Sequence, residues 1–243
     1  MRPSVPDVRI SDSQDAEMAS YRPLSGCALA GLILGLASPL ALLDPTFWAL
    51  PIFGLFFCWQ AFRRIKKNSS LAGRPLATTG LLFSLLFLVA APTDWFVYRK
   101  AVRDEARVFS AAWFKYLAEN EPQKAQQLAL PPAERQPLNN QLWRYHREHP
   151  PAKEALHNYV QQPLVRTLLA LGPRAETRFY QTASQTRSNT IDQIDQIYAV
   201  TYEDDGEKKS FFVHVQMVRA PAANGKAQWR ILQTKGGVRP EGW

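Results

Sequence analysis

The sequence has few of the residues from which most catalytic and redox sites are built. Its 243 residues include four histidines and two cysteines, Cys27 and Cys58. It contains no G-x-S-x-G nucleophile motif, no G-x-x-x-x-G-K-[ST] phosphate loop and no G-x-G-x-x-G dinucleotide motif. No catalytic constellation is evident, so the sequence favours a protein that is not an enzyme and that uses no cofactor.

Charge is also absent from three long windows, Pro23–Leu43, Pro45–Phe62 and Pro75–Thr93, of 21, 18 and 19 residues. At ~1.5 Å per residue, each window is about long enough to cross the ~30 Å hydrocarbon core of a membrane as a helix. We therefore expect about three short transmembrane helices. The alternative is two, with the first two windows forming a re-entrant pair or one window lying in the interface. The lack of intramembrane ionisable side chains argues against a transporter.

The first 22 residues are polar and carry four acidic residues, unlike the short positive start of a secretory signal peptide. We expect residues 1–22 to be a disordered cytoplasmic tail and residues 23–98 to be a retained membrane module. Residues 99–243 then form a separate domain.

The orientation of this module is predicted from one short basic segment. Residues 63–74 read RRIKKNSSLAGR and contain no acidic residue. Short loops rich in Lys and Arg stay in the cytoplasm. Three spans with this loop inside place the N-terminus in the cytoplasm and residues 99–243 outside it. The topology-determining residues are Arg63, Arg64, Lys66, Lys67 and Arg74.

Small residues in the first window indicate close helix packing. Gly31 and Gly35 form a G-x-x-x-G pattern, which lets helix backbones approach closely in lipid. We predict that these two glycines form a helix-packing face. In one alternative function, this face mediates helix–helix contacts with a partner protein.

The membrane third resembles the bacterial membrane module known as domain of unknown function 4190. In that family a small-residue-rich helix pair is followed by a basic segment and a Gly-Arg-x-x-Ala-x-x-Gly start to the last helix. The likeness covers roughly residues 22–92, and it implies residence in a bacterial inner (plasma) membrane without a known activity. The matching positions are Ala61, Ile65, Gly73, Arg74, Ala77 and Gly80.

The remainder of the chain begins with helical patterns. Apolar residues recur at helical spacing over residues 102–117, and Asn120 is expected to cap the next helix, with Pro122 in its first turn. Pro131–Pro132 should end that short helix. A third helical region over residues 152–170 should be kinked or split by Pro163.

The pattern then changes to the period of two that is typical of strands. Asp205–Gly206 and Asn224–Gly225 are hairpin signals on either side of the third strand. Helices followed by a strand meander predict an α+β domain, with helices packed on a curved antiparallel sheet. The four expected strands are Arg178–Thr186, Ile197–Tyr202, Phe211–Met217 and Gln228–Thr234.

This order resembles the nuclear transport factor 2-like fold, a cystatin-like cone of helices against a sheet. The resemblance rests on F-S-A-A-W-F-K-Y-L-A-E-N-E-P-Q-K-A near the start of the domain and Q-W-R-I-L-Q-T-K-G near its end. It implies a fold that hosts small enzymes, ligand binders and structural modules alike.

Two groups of possible metal ligands are weak candidates. His146 and His149 lie in H-R-E-H, but the segment is highly charged and runs into prolines, which is typical of a solvated turn. The acidic run from Glu203 to Glu207 lacks the spacing of a calcium loop and is typical of a solvated hairpin tip. We predict no metal site.

One candidate ligand pocket remains in the strands. His214 is expected on the face opposite Phe211 and Val213, beside Gln216. If that face lines the mouth of a cone, His214 can meet Tyr198, Tyr202 or Arg230. The enzyme alternative uses His214 as an acid–base group, although no suitably spaced Asp or Glu is apparent on the same strands.

The leading interpretation is a membrane-anchored binding or scaffold protein of the bacterial envelope. Its partners are the lipid bilayer and either envelope proteins or a second copy of itself. The formal charge of residues 101–243 is only +4 and is evenly spread, which disfavours nucleic acid.

Overall fold

The computed structural model describes residues 24–68, 71–221 and 225–240. The predicted tail, residues 1–22, lies outside the described residues, as does Asn224. The chain divides into two compact units, Met1–Tyr98 and Arg99–Trp243. Each unit is described by itself.

The first unit is helical. Helix α1 (Gly26–Ala37) continues as a 3₁₀ helix over Ser38–Leu42, where Pro39 cannot donate an α-helical backbone hydrogen bond. A second 3₁₀ turn, Pro45–Trp48, leads into α2 (Ala49–Lys67). Helix α3 (Arg74–Ala118) has 45 residues and continues through Pro92. The expected third window and the expected first helix of the polar domain are therefore one helix.

Within the first unit, α1 packs on both α2 and the beginning of α3. The buried methyl groups of Ala28, Ala61 and Ala77 form one cluster. Further along α1, a Cβ atom on Gly31 would lie 2.5 Å from the Cys58 sulfur. A Cβ atom on Gly35 would lie 2.6 Å from the carbonyl oxygen of Gly80. Later residues of α1 therefore contact earlier residues of α2 and later residues of α3, so α1 is antiparallel to α2 and parallel to α3.

Two helices of the described chain are long and apolar enough to cross a membrane, Pro45–Lys67 and Arg74–Ala118. The first apolar segment, Gly26–Leu42, is shorter. Helix length alone therefore does not confirm the expectation of about three spans. All three helices nevertheless expose large apolar side chains. Exposed large side chains include Ile33, Leu36, Ile52, Phe53, Leu82, Leu86 and Val89.

The second unit begins with residues 99–118 of α3 and adds four short helices. Pro163 separates the last two, as the sequence predicted. Asn120 does not cap the next helix, because its φ of 58° is left-handed and Glu121 occupies the cap position. Asn tolerates this conformation better than most residues. The helices are α4 (Pro122–Ala129), α5 (Leu142–Glu148), α6 (Pro150–Val160) and α7 (Pro163–Leu171).

A four-stranded antiparallel sheet follows, in the order β1-β2-β3-β4. The prediction of helices followed by an antiparallel meander is confirmed. Asp205 and Gly206 form the two-residue turn between β2 and β3, with φ values of 52° and 80°, as a type I′ hairpin requires. The strands are β1 (Glu176–Ser188), β2 (Ile191–Asp204), β3 (Glu207–Pro221) and β4 (Ala227–Gly236).

One face of the sheet, called the inner face, packs against α3 and forms the core. Ile194 and Val200 of β2 and Val213 and Met217 of β3 are fully buried there. Trp113 of α3 is also buried. The opposite face is called the outer face.

Candidate functional site

The register of the central hairpin decides which candidate residues share a face. The Asp205–Gly206 turn pairs Asp204 with Glu207, so each even-numbered residue of β2 lies opposite an odd-numbered residue of β3. Tyr198 therefore lies beside Val213 and His214 lies beside Ile197. Because side chains alternate along a strand, Tyr198 and His214 point to opposite faces of the sheet.

The five predicted ligand-binding residues do not line one pocket. His214, Gln216 and Arg230 lie on the outer face. Tyr198 and Tyr202 lie on the inner face, where the Tyr202 ring contacts Phe211. The expected meeting of His214 with the two tyrosines is therefore wrong, because Tyr198 pairs with Val213, one position from His214, and an offset of one strand position reverses the face.

His214 instead has an acidic neighbour on the outer face. Its Nε2 lies 3.8 Å from Oδ1 of Asp195, and Ser184 Oγ of β1 donates to Asp195 Oδ2 at 2.5 Å. The side chains of Asp195 and His214 are 16% and 27% exposed. The expectation that no acid is suitably placed was wrong, and the hairpin register derived from Asp205–Gly206 was the signal that could have identified Asp195.

The order in which Ser184, Asp195 and His214 contact one another limits the chemistry that they can perform. The Asp195 carboxylate lies between the Ser184 hydroxyl and the His214 imidazole. In a serine nucleophile activated by histidine, the imidazole itself accepts the serine proton. The arrangement therefore supplies an acid–base pair without an activated nucleophile.

Tyr198 belongs to a buried polar network on the inner face. Its hydroxyl donates to Gln196 Oε1 at 2.6 Å and contacts the Ser110 hydroxyl of α3. Gln196 Nε2 in turn donates to the carbonyl oxygen of Arg103, 3.1 Å away. Burial raises the pKa of Tyr198 to about 12, although the hydrogen bond from Ser110 opposes the shift. These hydrogen bonds join α3 to β2, and none of the three side chains lines the pocket beside Trp113 and Tyr159.

A second inner-face cluster is ionic. Arg219 of β3 has its Nε 3.0 Å from Glu105 Oε2 and its Nη1 3.4 Å from Asp192 Oδ2. The side chain of Asp192 is only 3% exposed. Trp229 Nε1 donates to the same Glu105 carboxylate at 3.3 Å. This cluster joins α3 to three strands, which indicates a structural role.

A pocket of about 350 Å³ opens where α6 and α7 meet β4. In its wall, Trp113 Nε1 donates to the Tyr159 hydroxyl at 2.7 Å. Burial raises the pKa of Tyr159, so this phenol stays neutral at physiological pH. No charged residue lines the pocket. The lining residues are Trp113, Ala129, Tyr159, Gln162, Pro163, Leu164, Ile231, Leu232, Gln233 and Thr234.

None of the five predicted residues lines this pocket. Trp113, Tyr159 and Ile231 lie on three elements that are far apart in the sequence, so no local pattern predicts that they meet. The mixture of two aromatic rings, aliphatic side chains and three neutral polar side chains suits an uncharged ligand with one apolar face.

The H-R-E-H segment is not a solvated turn. His146 lies on α5 and is buried, with its Nδ1 3.1 Å from the carbonyl oxygen of Ala152, while His149 is an exposed cap residue between α5 and α6. At the acidic hairpin tip, Asp204 pairs with Lys209 at 2.7 Å. In the described ranges, no group of three or more His, Cys, Asp or Glu side chains is arranged to hold a metal ion.

Gly31 and Gly35 lie at helix contacts inside the first unit. Their neighbours, Cys58 and Gly80, belong to this same chain. The face that was considered for a partner helix is therefore covered by α2 and α3, because the glycine backbones leave no gap between the helices.

Comparisons with known proteins identify no relative of this chain. No family model matches the chain, and no curated protein or solved structure matches it significantly.

Proposed function

We propose that this chain is a bacterial integral membrane protein in which three short helices anchor one extracytoplasmic α+β domain. The domain binds an envelope ligand or partner and performs no chemistry of its own. The uncharged pocket beside Trp113 and Tyr159 is the observation that carries the binding function. The two proposed resemblances, to domain of unknown function 4190 and to the nuclear transport factor 2-like fold, agree with this arrangement.

The packing of α1 supports a third span. Its contacts reach from Ala28, which packs with Ala61 and Ala77, to Gly35, which packs on Gly80. The segment therefore lies at the same depth as the two longer helices. An α-helix of 12 residues followed by five 3₁₀ residues spans about 28 Å, at ~1.5 and ~2.0 Å per residue. This length approaches the ~30 Å hydrocarbon core.

The two ends of the helix bundle carry different kinds of residue, and this difference favours one orientation in the membrane. The basic segment joins α2 to α3, and Leu24 at the start of α1 pairs with Ala72 in that segment. At the other end, Trp48 packs edge-on against Trp95, with ring centroids 6.0 Å apart. Basic residues favour the cytoplasmic side and tryptophan favours a membrane interface. This supports a cytoplasmic N-terminus and an extracytoplasmic C-terminal domain.

The test is the location of the C-terminus. A C-terminal epitope tag should be removed by protease added to intact spheroplasts, while a cytoplasmic marker stays protected. A second tag, placed before residue 24, should be removed only after the membrane is permeabilised. A protected C-terminal tag would contradict the proposal. If the N-terminal tag is also protected, the number of spans is even; if the N-terminal tag is removed, the orientation is inverted.

A second candidate function rests on the outer face. The Asp195 carboxylate beside His214 Nε2 favours an acid–base enzyme of the cone-fold type. An activity assigned to this pair must fall by about 10²-fold or more in both Asp195→Asn and His214→Gln, since general acid–base catalysis contributes that much. The matched control is Gln228→Ala, which lies on the same face opposite Ala220 and should leave that activity unchanged.

A further inference from the structure

Five cations collect at one end of the helix bundle, where α2 ends and α3 begins. We call this the basic end, and it consists of Arg63, Arg64, Lys66, Lys67 and Arg74. Helix α1 also starts there, because the Ser25 amide donates to the carbonyl oxygen of Ala72 at 3.0 Å. All five residues are exposed.

The described part of the first unit supplies no carboxylate to this end. Its two acidic residues are Asp44, in the connection between α1 and α2, and Asp94, beside Trp95. The contact between Trp48 and Trp95 places both at the opposite end of the bundle. No ion pair joins any of the five cations to a residue in the described ranges.

Helix ends add to the positive potential. Both α1 and α3 present their N-termini at the basic end, and neither has an acidic residue in its first turn. Ser25 caps α1 without a side-chain hydrogen bond. The partial positive charge of an N-terminus attracts anions, and phosphate groups in particular.

Apolar side chains border the same end. The guanidinium carbon of Arg63 lies 4.0 Å from the centre of the Trp59 ring, which is half-exposed, and Leu24, which precedes α1 and pairs with Ala72, is also exposed. An arginine stacked on an interfacial tryptophan keeps its charge at headgroup level while the ring faces the acyl chains. A phospholipid satisfies both parts of this surface, whereas a free phosphate satisfies only the charged part.

We propose that the basic end binds the phosphodiester headgroup of an anionic phospholipid in preference to a zwitterionic one. The phosphate lies among the lysines and arginines, and the acyl chains lie along Trp59 and Leu24. This inference rests on the proposed membrane anchorage. The inference goes beyond membrane anchorage, because anchorage requires only a bilayer, whereas this site distinguishes lipids by the charge of their headgroups.

The test is native mass spectrometry of the full chain in micelles that contain equal amounts of phosphatidylglycerol and phosphatidylcholine. We expect the chain to retain phosphatidylglycerol preferentially. Lys66→Gln/Lys67→Gln keeps the three arginines that help to set orientation, and it should reduce the preference about fivefold for each lysine. The matched control, Lys153→Gln/Lys208→Gln, removes two exposed lysines of the second unit and should leave the preference unchanged.

Three outcomes would overturn the proposal. The first is equal retention of the two lipids by the unmodified chain. The second is loss of the preference in inorganic phosphate but not in chloride of the same ionic strength, which would mean a site for free anions. The third is a preference for phosphatidylglycerol that appears only after Asp7, Asp12, Asp15 and Glu17 are changed to amides. That result would mean that the acidic residues 1–22, and not a lipid, occupy the basic end. Recovery of the chain from membranes after a carbonate wash reports anchorage separately.

Discussion

Gly35 of α1 packs directly on the backbone of Gly80 of α3. A Cβ atom on Gly35 would lie 2.6 Å from the Gly80 carbonyl oxygen, and one on Gly80 would lie 2.6 Å from the Gly31 carbonyl oxygen. Real Cβ atoms do not approach backbone oxygens so closely, so a side chain at either position must separate the helices. Apolar burial gives little driving force for helix association inside a membrane, which makes such close packing the main source of stability there.

Gly35→Leu should therefore open the bundle. The measurement is maleimide labelling of the buried Cys58 thiol in a Cys27→Ser background, which we expect to rise from slow to rapid. The matched control is Gly26→Leu, because nothing lies within 4 Å of a Cβ atom there. Equal protection of Cys58 in both variants would contradict the packing described above.

Tyr198→Phe should reduce the alkaline sensitivity of the second unit. Burial raises the pKa of Tyr198 to about 12 in the folded state, whereas an unfolded tyrosine titrates near ~10. The neutral phenol therefore contributes stability below pH ~10, and that contribution, about 3 kcal/mol, is lost as the pH rises from 10 towards 12.

Denaturant unfolding of the full chain in micelles at pH 8, 10 and 11.5 measures this loss. The phenylalanine variant should be less stable than the unmodified chain at pH 8, since it lacks the hydrogen bond to Gln196. The difference should shrink with rising pH. Curves that stay parallel up to pH 11.5 would show that Tyr198 is not the group responsible.

Arg219→Met should destabilise the second unit by about 3 kcal/mol, because it removes the guanidinium whose Nη1 lies 3.4 Å from the buried Asp192 carboxylate. The control is Arg178→Met, whose partner Glu176 is exposed, and it should cost less than about 1 kcal/mol. Chemical denaturation gives both values. Similar costs for the two variants would be evidence against a buried ionic cluster.

Tyr159→Phe should cost about 1–3 kcal/mol, because it leaves the buried indole N–H of Trp113 without an acceptor. Tyr145→Phe is the control, since the Tyr145 ring stacks on His149 at the protein surface. Thermal unfolding of the full chain should separate the two variants. A Tyr159→Phe chain as stable as the control would mean that water replaces the phenol in the pocket wall.

The order of helices and strands was predictable because its signals are local. The two-residue turn at Asp205–Gly206 and the split at Pro163 depend on backbone preferences of those residues alone. The length of α3 was not predictable in the same way. Pro92 and the change from apolar to charged composition both favour a break, yet the helix continues through them.

The candidate site was predicted less well than the fold. His214 was identified as the chemically interesting residue of β3, but its neighbours were taken from both faces of the sheet. Asp195 was missed, although the register of a two-residue hairpin is sufficient to place it beside His214. The pocket beside Trp113 was missed for a different reason, since it depends on how α6 and α7 approach β4.

The sequence by itself determined the apolar windows, the basic segment between α2 and α3, and the succession of helices and antiparallel strands. Each follows from composition or periodicity within about twenty neighbouring residues. Only the tertiary structure decided that Gly35 meets Gly80 and that Trp113 and Tyr159 form one pocket wall. These contacts join residues far apart in the chain, and their geometry depends on strand register and on the shapes of the packed side chains.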